Sequence, residues 1–362
     1  MSAPSIQRPP AEVRYQAELA RLIAQDTAPR PPGWRLSLQA VRSFLCGDKK
    51  LGIEAKFVGN QGLVERAMVS LATQRGLLLI GEPGTAKSML SELLAAAISG
   101  DSSLVIQGGA ATGEEQIKYG WNYALLLNEG PTTRALMPGP VYAGMAAGKL
   151  VRFEEITRCP SEVQDALLSI LSDRVLAIPE LGDVPEASLL ARAGFNVIAT
   201  ANTRDRGVND MSAALKRRFN FETVHPIGDF ATELALVERQ SAAMLEASGV
   251  PRSVPRDVLE VLVTTFRDLR GSGGEASAMD RLNTIMSTAE AVSVAHAAGI
   301  RGHYLRGGDA SPADIVESLA GVAVKDNSQD LQRVRRYLEQ KVKDRKGSAW
   351  KALYEARHLL DG

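Results

Sequence analysis

The sequence predicts an α/β fold in which a parallel sheet is flanked by helices, followed by a smaller all-helical domain. The apolar run 77–80 leads into a glycine-rich segment and then into an Ala/Leu-rich run, which is the pattern of strand, loop and helix. Two later segments, 149–155 and 195–202, are mostly apolar and end in polar side chains, as further strands would. After Pro226 the composition is mainly helical.

The composition is that of an ordinary globular protein. Of the 362 residues, 45% are hydrophobic and 23% are charged, and the formal net charge is zero, so nucleic acid and anionic membranes are not favoured as partners. Cys46 and Cys159 suit a reducing compartment, and no Cys/His cluster has metal-ligand spacing. The N-terminus lacks the apolar stretch of a signal peptide, and no apolar run approaches the ~18 residues of a membrane span. We therefore expect a cytoplasmic protein.

The N-terminal region shows no chemistry of its own. Residues 11–25 have helical composition, and Ser37 is expected to cap a short helix through Phe44. We expect residues 1–50 to form a helical extension that serves packing or docking. A helical pattern at 61–74 then precedes the first strand.

The segment GEPGTAKS, residues 81–88, has the context of a phosphate-binding P-loop, although a chance strand, turn and helix is the alternative. Backbone N–H groups and the helix N-terminus would face an anion, Lys87 would reach the β- and γ-phosphates, and the Ser88 hydroxyl would hold Mg²⁺. Ala86 replaces the last glycine of the usual pattern, so we expect the turn to avoid a positive φ there. The candidate nucleotide-binding residues are Gly81, Glu82, Pro83, Gly84, Thr85, Ala86, Lys87, Ser88 and Met89.

A pair of carboxylates ends the strand at 149–155. In a P-loop enzyme the first acid, here Glu154, holds Mg²⁺ through its water ligands, and the second, Glu155, orients and polarises the attacking water. The first acid is normally Asp, and the extra methylene of Glu154 is expected to shift the metal or to slow hydrolysis. Arg152 is unusual for a buried strand. An exposed acidic turn is the alternative interpretation of the pair.

The connecting segments contain several further elements. We expect a strand at 104–106, helices at 141–147 and 160–173 (the latter with Pro160 at its first position), and a hairpin or extended loop at 175–185. The aromatic segment 119–123 is either core or a substrate-gripping loop, and the flanking glycines favour the loop.

Two later features complete a candidate phosphate site. Asn202 ends the third strand and would lie near the γ-phosphate if that strand sits between the other two, although Asn also starts turns. The run Lys216, Arg217 and Arg218 is either a solvated helix end or contains an arginine finger that acts in a neighbouring subunit's site.

The order of GEPGTAKS, FEEITR, ATANT and LKRRF resembles that of an AAA+ ATPase. The MPGPVYAG and CPSEVQDALLSIL segments, and the Ala before the P-loop Lys, make it similar to the MoxR-type ATPases, relatives of the magnesium and cobalt chelatase ATPase subunits. The resemblance covers roughly residues 55–300.

The resemblance implies ATP and Mg²⁺ binding by Lys87, Ser88 and Glu154, with Glu155 as the catalytic base. It further implies that Asn202 is the first sensor. It assigns the arginine finger, which acts in the neighbouring subunit's site, to Arg218, with Arg217 as the second candidate. A homo-oligomeric ring, usually a hexamer, follows from the same resemblance.

The second region is expected to be the small helical lid of this class. Helical patterns occupy 230–246 and 258–269, residues 271–274 form a flexible break, and 277–281 would open a long helix through His296. The resemblance places the second sensor on Arg281, for which a capped surface Arg is the alternative. Ser311 and Pro312 open another helix, and the basic tail 329–362 is a solvated face or a docking surface. The expected domains are therefore 1–50, 51–227 and 228–362.

These expectations describe an Mg²⁺-dependent ATPase that remodels or matures a partner protein or metalloenzyme complex. The resemblance implies a client or partner with a von Willebrand A domain. The alternatives are a weakly hydrolysing ATP-binding assembly switch, a metal-chelatase ATPase subunit, and a motor of the same fold acting on nucleic acid.

Overall fold

The computed structural model describes residues 7–203, 209–271, 282, 286–324 and 328–361. They form two compact units. The first holds the described residues up to Glu82 and those from Ala86 to Val224, and the second holds Pro83–Thr85 and the described residues from His225 onward. Among these residues, every helix is too short or too polar to span a lipid bilayer.

The first unit is built on a five-stranded parallel sheet with the order β2-β5-β8-β1-β9. Two antiparallel hairpins, β3-β4 and β6-β7, lie outside this sheet. The strands are β1 Gly76–Gly81, β2 Val105–Gln107, β3 Tyr119–Trp121, β4 Leu136–Pro138, β5 Leu150–Glu154, β6 Val175–Ala177, β7 Ser188–Leu190, β8 Asn196–Asn202 and β9 Phe219–Val224. The predicted fold class is confirmed, and β8 lies between the P-loop strand β1 and the acid strand β5.

Helices cover the two faces of this sheet. Because successive side chains of a strand point to opposite faces, Leu77 and Leu79 enter one apolar cluster and Leu78 enters the other. The α-helices of the first unit are α1 Ala11–Arg14, α2 Gln16–Gln25, α3 Leu38–Cys46, α4 Gln61–Leu71, α5 Lys87–Ser99, α6 Tyr123–Glu129, α7 Pro140–Ala147, α8 Ser161–Asp165, α9 Leu168–Ser172 and α10 Ala213–Lys216.

The N-terminal helices belong to the core of this unit. Ser37 caps α3 as predicted, because its Oγ accepts from the backbone N–H of Ala40. The predicted helix at 11–25 is broken at Tyr15, which leaves the helical region at φ −112° and ψ 26°. Phe44 and Leu22 share one apolar cluster with Leu94 of α5, so this extension packs beneath the P-loop helix.

Two predicted segments have a different structure. The aromatic segment 119–123 comprises the β3 strand of a hairpin and the start of α6, so it is not an irregular loop. It is not core either, because none of its residues is buried. The predicted helix 160–173 is two short helices, with Pro160 as the N-cap of the first and not its first helical residue. The chain tightens between them because the Leu167 N–H donates to the Gln164 carbonyl, three residues back.

The second unit is all-helical among its described residues. Its α-helices are α11 Phe230–Ala247, α12 Arg256–Arg270, α13 Thr288–Arg306, α14 Pro312–Leu319, α15 Ser328–Tyr337 and α16 Ser348–Glu355, with π-helical turns at Ala320–Val324 and Leu338–Val342. The helix predicted to open at Ser311 and Pro312 is α14, and Ser311 and Asp314 form a capping box at its start. The long helix begins at Thr288, because Ser287 and Glu290 form a capping box there, and it runs beyond His296. Arg281 and the segment 272–280 lie outside the described residues.

Candidate nucleotide-binding site

The backbone of the P-loop turns sharply just before α5. Ala86 adopts the left-handed conformation, with φ 67° and ψ 25°, so the prediction that the turn avoids a positive φ was wrong. Its carbonyl accepts from the N–H of Leu90 and thereby starts the helix. The geometry of the helix start therefore outweighs the cost of a Cβ in this conformation, which is about 1–2 kcal/mol.

Lys87 is the first residue of α5, and its side chain folds back over the loop. Its ammonium Nζ donates to the carbonyl oxygen of Gly81 at 3.1 Å and to that of Glu82 at 2.8 Å. Lys87 is buried, with 7% of its surface exposed. The ammonium is thus held at the first two carbonyls of the candidate phosphate loop.

The Glu154 carboxylate is the centre of a buried hydrogen-bond cluster. Its Oε2 accepts from Ser88 Oγ at 2.7 Å and from Thr200 Oγ1 at 2.8 Å. Its Oε1 accepts from Ser91 Oγ at 2.6 Å and from Arg152 Nη2 at 2.8 Å. The two oxygens therefore have separate partners, and only Oε2 adjoins the exposed Ser88.

The buried Arg152 is explained by these contacts. Residues two apart on a strand point to the same face, so Arg152 lies beside Glu154 on β5. Its Nε donates to Ser91 Oγ at 3.0 Å, and its Nη1 donates to the Ser102 carbonyl at 3.1 Å. Its Nη2 also reaches the Ser88 carbonyl at 3.1 Å. A buried guanidinium with every nitrogen bonded avoids the penalty of an unpaired charge.

Glu155 lies outside this cluster. Its backbone is left-handed, with φ 57°, and its N–H donates to Thr200 Oγ1 at 3.0 Å. Its carboxylate Oε2 lies 2.5 Å from Arg158 Nε, and 31% of its side chain is exposed. The turn at Glu155 thus sends the two adjacent carboxylates to different partners, which the sequence alone could not show.

Asn202 lies at the same edge of the sheet as the phosphate loop. It is opposite Gly81 in the β1-β8 register, and the N–H of the next residue, Thr203, donates to the Gly81 carbonyl at 3.1 Å. The structure therefore brings together Lys87, Ser88, Glu154 and Asn202 at the carboxyl ends of three neighbouring strands, where ligands bind in open α/β sheets.

The candidate finger residues have other surroundings. Arg218 donates from Nε to Ser172 Oγ and from Nη1 to the Ala214 carbonyl, both at 2.8 Å. Arg217 follows α10 and is exposed. Arg281, the candidate second sensor, lies outside the described residues.

Sequence reasoning missed three polar residues at this site. Ser91 follows Ser88 by three residues and so shares its face of α5, which was the signal available for it. Thr200 precedes Asn202 by two on β8 and therefore points to the same side of the sheet. Arg158 carried no comparable signal.

The donor set fits a nucleotide with a hard divalent cation. Ser88 Oγ and Glu154 Oε2, 2.7 Å apart, are the hydroxyl and carboxylate oxygens that Mg²⁺ prefers in P-loops. The Lys87 ammonium and the start of α5 supply the positive charge that polyphosphate requires.

Comparisons with known proteins identify the family of both regions of the chain. Residues 76–219 match the AAA domain of the dynein-related subfamily, and residues 231–361 match the YehL-like AAA+ ATPase C-terminal domain. The uncharacterized protein YehL of Escherichia coli is 62% identical over 356 residues, which cover 98% of each chain.

More distant similarities are also present. The chaperone MoxR1 of Mycobacterium tuberculosis is 28% identical over 166 residues, which are 46% of this chain and 40% of MoxR1. The crystal structure of NtrX from Brucella abortus in complex with ADP has a TM-score of 0.49 at 14% identity, over 83% of this chain and 64% of NtrX. The match to YehL along nearly the whole length decides the family. The chain belongs to the YehL-like AAA+ ATPases, and its similarity to MoxR1 is consistent with the predicted MoxR type.

Proposed function

We propose that this chain hydrolyses ATP with Mg²⁺ at the cluster of Lys87, Ser88, Glu154, Glu155 and Asn202. One observation carries the proposal: the Ser88 hydroxyl contacts the Glu154 carboxylate at 2.7 Å, beside the Lys87 ammonium and the helix start. P-loop enzymes catalyse phosphoryl transfer mainly by positioning and by charge neutralisation, and this arrangement supplies groups for both.

Each residue then has a defined task. The loop 81–86 and Met89 surround the phosphates, and Lys87 exchanges its carbonyl partners for phosphate oxygens. Bound Mg²⁺ would neutralise phosphate charge, and Ser88 and Glu154 would hold it. Glu155 accepts a proton from the attacking water, which requires that its carboxylate leave Arg158, and Asn202 orients that water.

The proposal includes a homo-oligomeric ring, of six subunits by analogy with the family, in which a neighbour completes each site. Arg218 is the proposed finger and Arg217 the runner-up. The exposure of Arg217 supports including it, whereas Arg218 would have to release Ser172. We also propose Arg281 as second sensor, 51–227 as the nucleotide-binding domain, and 228–362 as a lid with basic C-terminal helices.

For the biological role, we propose remodelling or maturation of a partner protein or metalloenzyme complex. The similarity to the chaperone MoxR1 supports a remodelling role. A partner with a von Willebrand A domain is proposed from the family resemblance alone. A cytoplasmic location would suit the free thiols of Cys46 and Cys159.

One observation favours a second candidate, a weakly hydrolysing assembly switch. The Glu155 carboxylate is paired with Arg158 and so is withdrawn from a role as base. In that case ATP binding would drive assembly with little turnover until a partner displaces Arg158.

The test is ATP hydrolysis measured against protein concentration, together with gel filtration. The wild type is compared with Lys87→Ala, Glu155→Gln, Arg217→Ala and Arg218→Ala. A shared-site ring predicts specific activity that rises with concentration. Loss of activity is expected in Lys87→Ala, in Glu155→Gln and in at least one of the two Arg variants. Mixing that inactive Arg variant with Glu155→Gln should restore activity, because each subunit then supplies the residue that the other lacks. ATP-dependent assembly with no turnover at any concentration would favour the switch, and absence of ATP binding would refute both.

A further inference from the structure

The buried pair of Arg152 and Glu154 suggests why this chain carries Glu at the first acidic position. Their side chains are 9% and 6% exposed, and Arg152 Nη2 lies 2.8 Å from Glu154 Oε1. A buried ion pair in a sheet seldom gains stability over apolar side chains of similar size, because both charges lose their hydration. The pair is therefore better explained by a positioning requirement than by stability.

The contacts divide the two oxygens of Glu154 between different tasks. Oε1 is held by Arg152 and Ser91, while Oε2 is left facing Ser88 Oγ and Thr200. Glu has one more rotatable bond than Asp, and a fixed Oε1 removes that freedom. The Arg152 guanidinium also binds the Ser88 carbonyl, so it fixes both proposed metal-holding residues relative to each other.

We propose that Arg152 is a positioning residue that adapts Glu154 to the place usually taken by Asp. It retains Oε1 and directs Oε2 toward Ser88, so that Arg152 and Glu154 act as one unit. This inference rests on the proposed Mg²⁺-nucleotide site. An Asp at position 154 would draw the carboxylate back toward the strand by about 1.5 Å, the length of one carbon–carbon bond. The Asp carboxylate could then not reach Ser88 as long as one of its oxygens stays hydrogen-bonded to Arg152.

The test is the Mg²⁺ dependence of binding of a fluorescent ADP analogue, which does not require turnover. The variants are Arg152→Met, Glu154→Asp and the double variant, because Met keeps much of the aliphatic volume of Arg. Loss of a residue that orients a metal ligand typically weakens metal binding about 10- to 100-fold. We expect each single variant to raise the half-saturating Mg²⁺ concentration by that factor. In the double variant the Asp has no Arg152 to hold it, so the half-saturating Mg²⁺ concentration should return close to the wild-type value.

Arg66→Met is the matched control. Arg66 pairs with Glu222 through two hydrogen bonds of 2.8 Å in the same unit, away from the acid cluster, so its loss should leave the Mg²⁺ dependence unchanged. Circular dichroism checks the fold of each variant. If Arg152→Met does not fold, Arg152→Lys keeps a charge without the planar fork and should still raise the Mg²⁺ requirement.

Three results would overturn the inference. A wild-type Mg²⁺ dependence in Arg152→Met, or in Arg152→Lys where Met does not fold, would show that Glu154 needs no such partner. If the fold-increase in the half-saturating Mg²⁺ concentration of the double variant equals the product of the two single increases, the two residues act independently. If the wild type itself shows no Mg²⁺-dependent nucleotide binding, the proposed function fails and this inference fails with it.

Discussion

Replacing Ala86 by Gly should relieve a strain that the P-loop carries. Ala86 has φ 67°, where an L-residue with a Cβ costs about 1–2 kcal/mol and Gly costs almost nothing. Against this gain, Gly makes the unfolded chain more flexible, which costs about 0.4–1 kcal/mol. The net change in the free energy of unfolding is therefore expected to lie between neutral and about 1.6 kcal/mol stabilising.

A matched substitution isolates the strain. Ala20 is exposed in the middle of α2 in the same unit, where Ala→Gly should destabilise by about 0.5–1 kcal/mol. The unfolded-state cost is common to both variants, so the difference between them should equal the strain, about 1–2 kcal/mol. At 2–4 °C per kcal/mol for a unit of this size, the midpoints should differ by about 2–8 °C.

The assay is urea and thermal unfolding without nucleotide, followed through tryptophan fluorescence, to which the buried Trp34 contributes. Equal destabilisation by Ala86→Gly and Ala20→Gly would refute the reasoning. It would mean that Ala86 does not hold a positive φ in solution.

Two further predictions concern stability in each unit. Phe44→Ala should lower the free energy of unfolding by about 3–5 kcal/mol in urea titrations, because the ring is fully buried and packs edge-on to Tyr15. The control is Val13→Ala at an exposed site, which should change the free energy of unfolding by less than about 0.5 kcal/mol. Burial alone would raise the pKa of the Asp314 carboxyl, but hydrogen bonds from Arg306 and Ser311 outweigh burial and lower the pKa below its ordinary value of 3.8. The carboxylate therefore stabilises the fold above pH 3.8 and loses this effect as the pH falls through the lowered pKa. Asp314→Asn should be less stable than wild type at neutral pH and should lose less stability on acidification, as measured by circular dichroism. Acid unfolding curves that run parallel for the two proteins would contradict this.

The sequence allowed prediction of the elements whose signals are local. The apolar run before Gly81, and the strand ending at Asn202, were predictable because a buried strand needs only a few adjacent apolar residues. The position of β8 between the other two strands was only a condition of the argument about Asn202, and the order of the sheet meets that condition. The cap at Ser37 was equally local, since its partner is three residues away.

The errors arose where distant or competing interactions decide the structure. The prediction for Ala86 considered only the strain of its Cβ at positive φ. It did not consider that the start of α5 places this residue in the left-handed conformation. The interior of 160–173 has good helical periodicity, yet Gln164 turns its side chain to the Cys159 carbonyl and the chain tightens after it. The contacts of Glu154 with Ser88 and Thr200 span 66 and 46 residues, which no periodicity can reveal.

The strand geometry that joins Arg152 to Glu154 also has a consequence for recognising related proteins. The two residues are neighbours only because β5 repeats every two residues, so the pair forms a fixed Arg-x-Glu spacing within the chain. Sequence searches that require Asp before the second acid would overlook such sites. A more inclusive search would accept Glu there when an Arg stands two residues earlier, and it would treat a Glu without that Arg as a different kind of site.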